Sequence, residues 1–277
     1  MFSLLLKVFP YLWLSLPDSS SPRSLSSCDQ FLSVFQSKGL RPDAVCPCAA
    51  SAEGLTVSVR RPGREGSNAT GRGVLSMSGL SYGVVRVDQE NSLTSLTLQD
   101  CGQVLPGALI VIIACEGSPV LCKTDEVGEI AVSSPAAASS YWGLPGLTVT
   151  TFKVRPETEE GKPMPGEAEF VRTGLLGFLG PGGLVFVCGA RDGLMTVSGR
   201  KHNTDDIIAT VLAVEPMRFI YRGRIAVFSI RVLRDERICV VAEQRPDCSE
   251  EESFQWMSRV LQVIEILLKS TFISIFC

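Results

Sequence analysis

Short β-branched runs dominate the first two thirds of the chain. Each run is bounded by Gly, Pro or Asp, as is typical of strands that end in turns. The predicted strands are Leu55–Arg60, Gly83–Val87, Ala108–Cys115, Glu129–Ser133 and Leu184–Cys188. The segment Gly180–Gly183, Gly-Pro-Gly-Gly, predicts a tight turn between Gly177–Leu179 and the last of these strands. The Pro-, Glu- and Gly-rich segment Val154–Glu169 predicts an exposed loop.

The last third has a mixed pattern. Apolar residues at helical spacing after an Asp-rich start predict a helix over Thr204–Val214. Two strands, Arg224–Arg231 and Arg237–Glu243, follow and are expected to pair through the turn at Arg234–Glu236. A final helix over Ser249–Leu268 opens with an acidic first turn, which suits the helix dipole. The pattern therefore predicts a mixed α/β fold with a β-rich front part.

The first 27 residues differ from the rest, because an apolar run gives way to a Ser/Pro-rich stretch. Lys7 and Pro10 interrupt the apolar run, and no small-residue cleavage site follows, so a secretory signal is not predicted. The run is also too short to span a bilayer. We therefore expect residues 1–27 to be a disordered leader.

Composition narrows the classes of function. The net charge of −3 provides no basic field for nucleic acid, so we expect no nucleic-acid partner. The ten cysteines are spread widely, and a single histidine leaves no Cys/His set for zinc. We interpret the cysteines as reduced, buried thiols, which favours a cytoplasmic location.

Four motifs then occur in a fixed order. They are Asp125–Ile130, DEVGEI; Ser139–Trp142, SSYW; Arg172–Gly174, RTG; and Gly199–Ile207, GRKHNTDDI. Together they resemble adenylate-forming enzymes, the ATP-dependent acid-activating superfamily, and the last is similar to a segment of its fatty acyl-AMP ligase branch. The surrounding sequence, including Met195–Arg200, MTVSGR, is similar to the disco-interacting protein 2 family over roughly residues 28–262.

The resemblance implies two lobes and a nucleotide site. Residues 28–190 would be the C-terminal part of the large lobe, 191–268 the small C-terminal α/β lobe, and 269–277 a divergent tail. ATP or AMP and Mg²⁺ are the implied cofactors, with Glu53 as the metal ligand. The residues implied in nucleotide binding are Arg172, Thr173, Gly174, Asp192, Gly199, Arg200 and His202. Asp192 would also mark the hinge between the lobes.

Four positions depart from the family pattern. Ala49 stands where the family stacks an aromatic ring on adenine, and Leu175 replaces the aspartate that binds the ribose hydroxyls. Ala190 replaces an arginine, and Ile208 replaces a glutamate. Leucine cannot accept a hydrogen bond, so a ribose at this position would lose a contact of about 1.5–3 kcal/mol. We expect the neighbouring Arg191 not to substitute for Ala190, because in extended backbone it would point to the opposite face.

The family's Ser/Thr/Gly-rich phosphate loop has no counterpart in this sequence. Lys269 lies in an apolar helical context, so no residue is assigned a catalytic role. Three interpretations remain: an acyl-adenylate-forming ligase as part of a longer protein, a non-catalytic module that binds an acyl or lipid ligand or a protein partner, and a truncated product without independent function. Simpler readings of single residues also stay open, with Glu53 as a surface carboxylate and His202 as a backbone-bonded imidazole.

Overall fold

Antiparallel sheets form most of the front part of the chain, as the β-branched runs predict. The computed structural model describes residues 12–15, 22–41, 43–61, 71–90, 92, 95–197, 200–214, 220–232, 235–246, 248–268 and 273–276. Strands and helices alternate irregularly along these ranges, and the predicted α/β fold is confirmed.

The strands are numbered in chain order. They are β1 Leu12–Ser15, β2 Val45–Ser51, β3 Leu55–Val59, β4 Arg72–Ser76, β5 Ser95–Gln99, β6 Gln103–Val104, β7 Leu109–Ile113, β8 Gly128–Ser133, β9 Val171–Gly180, β10 Leu184–Ala190, β11 Leu194–Val197, β12 Arg200–Asn203, β13 Ile220–Val232, β14 Asp235–Gln244 and β15 Ile273–Phe276. The helices are α1 Pro22–Gln36, α2 Met77–Ser81, α3 Pro145–Phe152, α4 Thr204–Val214 and α5 Glu250–Leu268.

The sheet that carries most of the candidate site has the order β10-β9-β8-β7, with all neighbours antiparallel. The predicted turn between β9 and β10 is a 3₁₀ turn at Pro181–Gly183, in which Gly182 has a φ of 72°. Only glycine adopts this backbone conformation without strain. Apolar side chains on both faces of β8 are buried, so the sheet separates two parts of the core.

Two smaller sheets flank it in the front part. The first has the order β1-β2-β3-β6, in which only β1 and β2 are parallel, and the second pairs β4 with β5. Stacked Phe178 and Phe186 rings, 5.0 Å apart, join β9 and β10 to the apolar face of β4 and β5. The two smaller sheets thus pack against the larger one through separate apolar clusters.

The rear part of the chain, from β11 onward, has its own core. A two-stranded sheet, β11-β12, leads into α4, and a three-stranded sheet, β13-β14-β15, lies beside α5. One cluster of buried apolar residues is drawn only from residues 195–264, with Trp256 among its largest members. Ser249 and Glu252 form a capping box at the start of α5, because each side chain accepts a hydrogen bond from the other's backbone N–H.

One expectation about local structure was wrong. Gly83–Val87 forms no strand: Val84 and Val87 make only isolated bridges, to Glu126 and Leu75. Of the first 27 residues, the structure describes β1 and the first residues of α1, and the leader expected there stays a prediction. The other predicted strands and both predicted helices are present, with ends that differ by a few residues.

The described residues add two findings about chemistry and membrane contact. Nine cysteines, all those in the part that the structure describes, are free thiols. Within the same ranges, no helix combines the length and apolarity that crossing a bilayer requires.

Candidate functional site

The predicted site residues fall into two groups. Arg172, Thr173 and Gly174 lie at the start of β9, and the turn that carries Glu53 packs beside Thr173. Arg200 and His202 lie on β12, which follows the 3₁₀ turn that contains Asp192. Gly199 lies outside the described residues. The structure therefore gathers the first group around β9 and leaves the second in a separate place.

A buried carboxylate organises the first group. Glu129 on β8 is 1% exposed, and its Oε2 accepts hydrogen bonds from Arg172 and from Arg191 Nη1, the latter at 3.0 Å. Its Oε1 accepts from the backbone N–H of Gly174 at 3.3 Å. A buried charge is stable only with such partners, so Glu129 and the two arginines form one structural unit.

Arg191 therefore does not point away, and that expectation was wrong. The extended-strand argument fails because Arg191–Gly193 is a 3₁₀ turn rather than a continuation of β10. The turn brings the guanidinium back to Glu129, next to Arg172. Sequence reasoning also missed Glu129 as a site residue, although a glutamate within an otherwise apolar strand is a signal for a buried ion pair.

Thr173 and Gly174 are held by hydrogen bonds to their own strand and to β8. Thr173 Oγ1 donates to the carbonyl of Ile130 at 2.7 Å and accepts from the N–H of Leu175 at 3.2 Å. Gly174 has a φ of +69°, in the left-handed region that favours glycine. The hydrogen-bonding groups of this segment are thus used within the protein.

Apolar packing occupies three of the four positions that depart from the family pattern. Ala49 is 2% exposed, and the Leu175 side chain packs against the same core cluster. Ile208, on α4, packs against the core of the rear part. The fourth, Ala190, is half-buried at the end of β10.

Glu53 is engaged by an aromatic residue. Its Oε1 accepts a hydrogen bond of 2.8 Å from the hydroxyl of Tyr141. This bond, together with burial, raises the pKa of Tyr141. The Tyr141 ring packs edge-on against Phe152, with centroids 5.0 Å apart. Among the described residues, no three His, Cys, Asp or Glu side chains lie together in a way that could hold a metal ion.

The second group joins the two parts of the chain. Arg200 Nε donates to the Tyr82 hydroxyl at 3.1 Å, and its guanidinium carbon lies 5.7 Å from the centre of the Tyr82 ring. His202 is 4% exposed, and its Nε2 has no hydrogen-bond partner within the described ranges. Burial, with a smaller effect of Arg200, lowers the pKa of His202. The imidazole is therefore neutral near pH 7.

These observations test whether the implied nucleotide and Mg²⁺ fit. Ribose hydroxyls need acceptors and adenine needs a flat apolar or aromatic surface, but Leu175 and Ala49 offer neither. Glu53 keeps an oxygen for a metal while its other oxygen is bonded to Tyr141. The residues present do not fit a nucleotide held in the family's manner, so we derive no chemical step through ATP or Mg²⁺.

Comparisons with known proteins place the chain. No protein-family model matches it. It is 70% identical to disco-interacting protein 2 of Drosophila melanogaster over 266 residues, which are 90% of this chain and 15% of that protein. It is 29% identical to the medium-chain-fatty-acid–[acyl-carrier-protein] ligase JamA of Moorena producens, over 83% of this chain and 37% of the ligase.

A solved structure supports the same fold. It comes from work on fatty acyl-adenylate ligases of E. coli and L. pneumophila, and it superposes with a TM-score of 0.71 at 22% identity. The match covers 98% of this chain and 43% of that structure. The fold is therefore that of part of an adenylate-forming enzyme, and the chain belongs to the disco-interacting protein 2 family.

Proposed function

We propose that this chain is a non-catalytic module of the adenylate-forming type, which binds a ligand or partner in connection with fatty acid metabolism. One observation carries the proposal. Arg172, Thr173 and Gly174 keep the family's sequence but make their hydrogen bonds within the protein, while Leu175 beside them packs into the core. Such a segment supports a fold without offering hydrogen bonds to a nucleotide.

An open groove supports an acyl ligand. It has a volume of about 540 Å³, and its lining combines the cationic side chains of Arg172, Arg191 and Lys153 with the apolar Leu147 and Val149. The last two side chains are more than half exposed. A cationic end beside an apolar surface matches a fatty carboxylate, which has one negative charge and an aliphatic tail. A protein partner with an acidic, apolar segment is the alternative occupant.

Titration with decanoate tests this ligand class. Calorimetry is expected to give saturable binding that weakens by about tenfold in Lys153→Glu, because the substitution reverses one of the positive charges that line the groove. Lys162→Glu is the matched control and is expected to leave binding unchanged. Lys162 is 74% exposed and pairs with Glu160. Decanoate binding that both variants weaken equally, or no binding at all, would contradict the acyl assignment.

The link with fatty acid metabolism rests on relatives. The ligase from Moorena producens is named for medium-chain fatty acids, and the matched solved structure comes from work on fatty acyl-adenylate ligases. The chain spans only 15% of its Drosophila relative, so the activity of a longer protein is a separate question. Acyl-adenylate formation by such a protein is the second candidate, favoured by the retained Glu53 and Arg172.

A restoring substitution separates these candidates. Leu175→Asp returns the carboxylate that the family uses for ribose, and Leu175→Asn is the uncharged control. In our proposal the original chain binds Mg·ATP at best in the millimolar range, and only Leu175→Asp strengthens binding. Micromolar, Mg-dependent binding by the original chain would favour the ligase instead.

Limited proteolysis tests the third interpretation, a truncated product without independent function. A folded module is expected to give two stable fragments cut near Asp192, because the turn is exposed between two packed cores. The division into 28–190 and 191–268 is part of this proposal. Rapid digestion of both halves would instead support the unstable product.

We also infer a reducing, cytoplasmic environment. The free thiols of the described cysteines agree with it, and burial raises the pKa of Cys122 to about 11, so that thiol stays protonated and unreactive. We propose no nucleic-acid partner, because the chain has a net charge of −3.

A further inference from the structure

A cavity lies between α2 of the front part and β11, β12 and α4 of the rear part. Its volume is about 70 Å³. One water needs about 10–15 Å³ on this measure, so the cavity holds roughly five water-sized groups. It is distinct from the Glu129 cluster and from the groove beside Lys153, and nothing in the proposed function uses it.

The wall of the cavity is mainly apolar. Leu80 on α2, Leu96 on β5 and Leu176 on β9 contribute from the front part, and Leu194 on β11 contributes from the rear part. Leu96 and Leu176 are both buried, and Leu96 packs in the apolar cluster of Phe178 and Phe186. Water gains few hydrogen bonds from such walls, whereas an aliphatic group gains contact with all of them.

His202 brings into the wall a buried polar atom without a hydrogen-bond partner in the described part of the chain. His202 lines the cavity, is 96% removed from solvent (4% exposed), and its Nε2 makes no hydrogen bond with any described residue. Buried polar atoms almost always have a partner, because an unmade hydrogen bond costs free energy. A ligand atom that bonds to Nε2 removes this deficit.

Charge excludes an anion. Asp206 also lines the cavity, and its negative potential acts with burial to raise the pKa of Cys188 in the same wall, so that thiol is neutral. Burial likewise raises the pKa of Cys115. Lys201 also lines the cavity, but it is exposed to solvent, so its charge is screened more than that of the partly buried Asp206. A carboxylate inside the cavity would face Asp206 across apolar walls.

We propose that this cavity binds a small neutral molecule with an aliphatic body and one hydroxyl or amide group, and that this group hydrogen-bonds to Nε2 of His202. A neutral imidazole suits either role, because its Nε2 accepts a hydrogen bond in one tautomer and donates one in the other. The size limits the aliphatic body to about four carbons, or to the end of a longer chain that leaves through the opening.

The chain has one histidine, which makes the test direct. Selective ¹⁵N-histidine labelling gives NMR signals from a single imidazole. These signals are followed while 1-butanol is added to the full chain. The expected result is a saturable shift with a dissociation constant on the order of millimolar, as suits a ligand of five heavy atoms. Butyrate, which has a similar size and a negative charge, is expected to bind at least about tenfold more weakly.

Filling variants locate the binding. Leu80→Trp and Leu194→Phe enter the cavity from its two sides, and each is expected to weaken 1-butanol binding by about tenfold. Leu109→Trp is the control, because Leu109 is exposed on β7 and does not line the cavity. If one filling variant fails to fold, the other and the unmodified chain still decide the question.

Three outcomes overturn the proposal. The first is a shift that stays linear in 1-butanol, as expected for a cavity that holds water alone. The second is butyrate binding as tight as 1-butanol binding. The third is filling variants that bind like Leu109→Trp.

Discussion

Arg191 Nη1 donates a hydrogen bond of 3.0 Å to Oε2 of Glu129, so the Arg191–Gly193 turn is tied to a buried carboxylate of β8. Arg172 from β9 donates to the same oxygen. The two arginines lie 43 and 62 residues from Glu129 along the chain. The Glu129 side chain thus fixes the turn between β10 and β11.

Glu129→Gln tests this unit. The substitution removes the charge and leaves the mostly buried guanidinium of Arg172 and the exposed one of Arg191 with only one amide oxygen to share, so the free energy of unfolding should fall by about 3 kcal/mol or more. Urea denaturation measures the change. Glu159→Gln is the control, because Glu159 forms an exposed pair with Lys123, and it should change stability by less than about 1 kcal/mol. Equal effects of the two substitutions would show that the Glu129 unit is not structural.

Gly174→Ala tests the left-handed backbone conformation of Gly174 within β9. A Cβ at this position meets no atom within 4 Å, so the cost comes only from the φ of +69°. We expect a loss of about 1–2 kcal/mol in the free energy of unfolding. Gly146→Ala is the matched control, since Gly146 lies in α3 with the same open space and no positive φ. It should stabilise by about 0.5–1 kcal/mol, because alanine favours helix. Thermal unfolding of both variants that moves in the same direction would contradict the argument.

His202 predicts a pH dependence. Because burial lowers its pKa in the folded state, the unfolded chain takes up a proton first as pH falls below about 6.5. The free energy of unfolding should therefore decrease with falling pH below that value, until the folded-state pKa is reached. His202→Gln should remove this part of the slope between pH 5 and 7. The proton resonances of the one imidazole report its pKa directly, and a value above 6.5 would refute the assignment.

Short apolar runs that end at turn residues explain which elements could be predicted. The strands β7, β8 and β10 are short apolar runs closed by turn residues, and the sequence marks both the runs and their ends. Gly83–Val87 has the same composition, yet the N–H groups of Gly83 and Val84 bond to carbonyls of α2, and the segment otherwise makes only two isolated bridges. The helix α3 was missed because its Thr and Val residues favour strands and no side chain caps its start.

The candidate site was predictable only in part. Arg172 and His202 lie in motifs that can be recognised locally. The role of Glu129 could not be seen, because its partners are distant in sequence and one of them, Arg191, depends on a 3₁₀ turn. The orphan Nε2 of His202 is likewise a product of packing between α2 and β12, which no local pattern encodes.

Calorimetric titration of the unmodified chain with ATP, in the presence and absence of Mg²⁺, measures whether its nucleotide site is functional. Leu175 and Ala49 offer no hydrogen bond to ribose and no ring to adenine, so we expect no detectable binding or a dissociation constant in the millimolar range. Mg-dependent binding at a micromolar dissociation constant would contradict it.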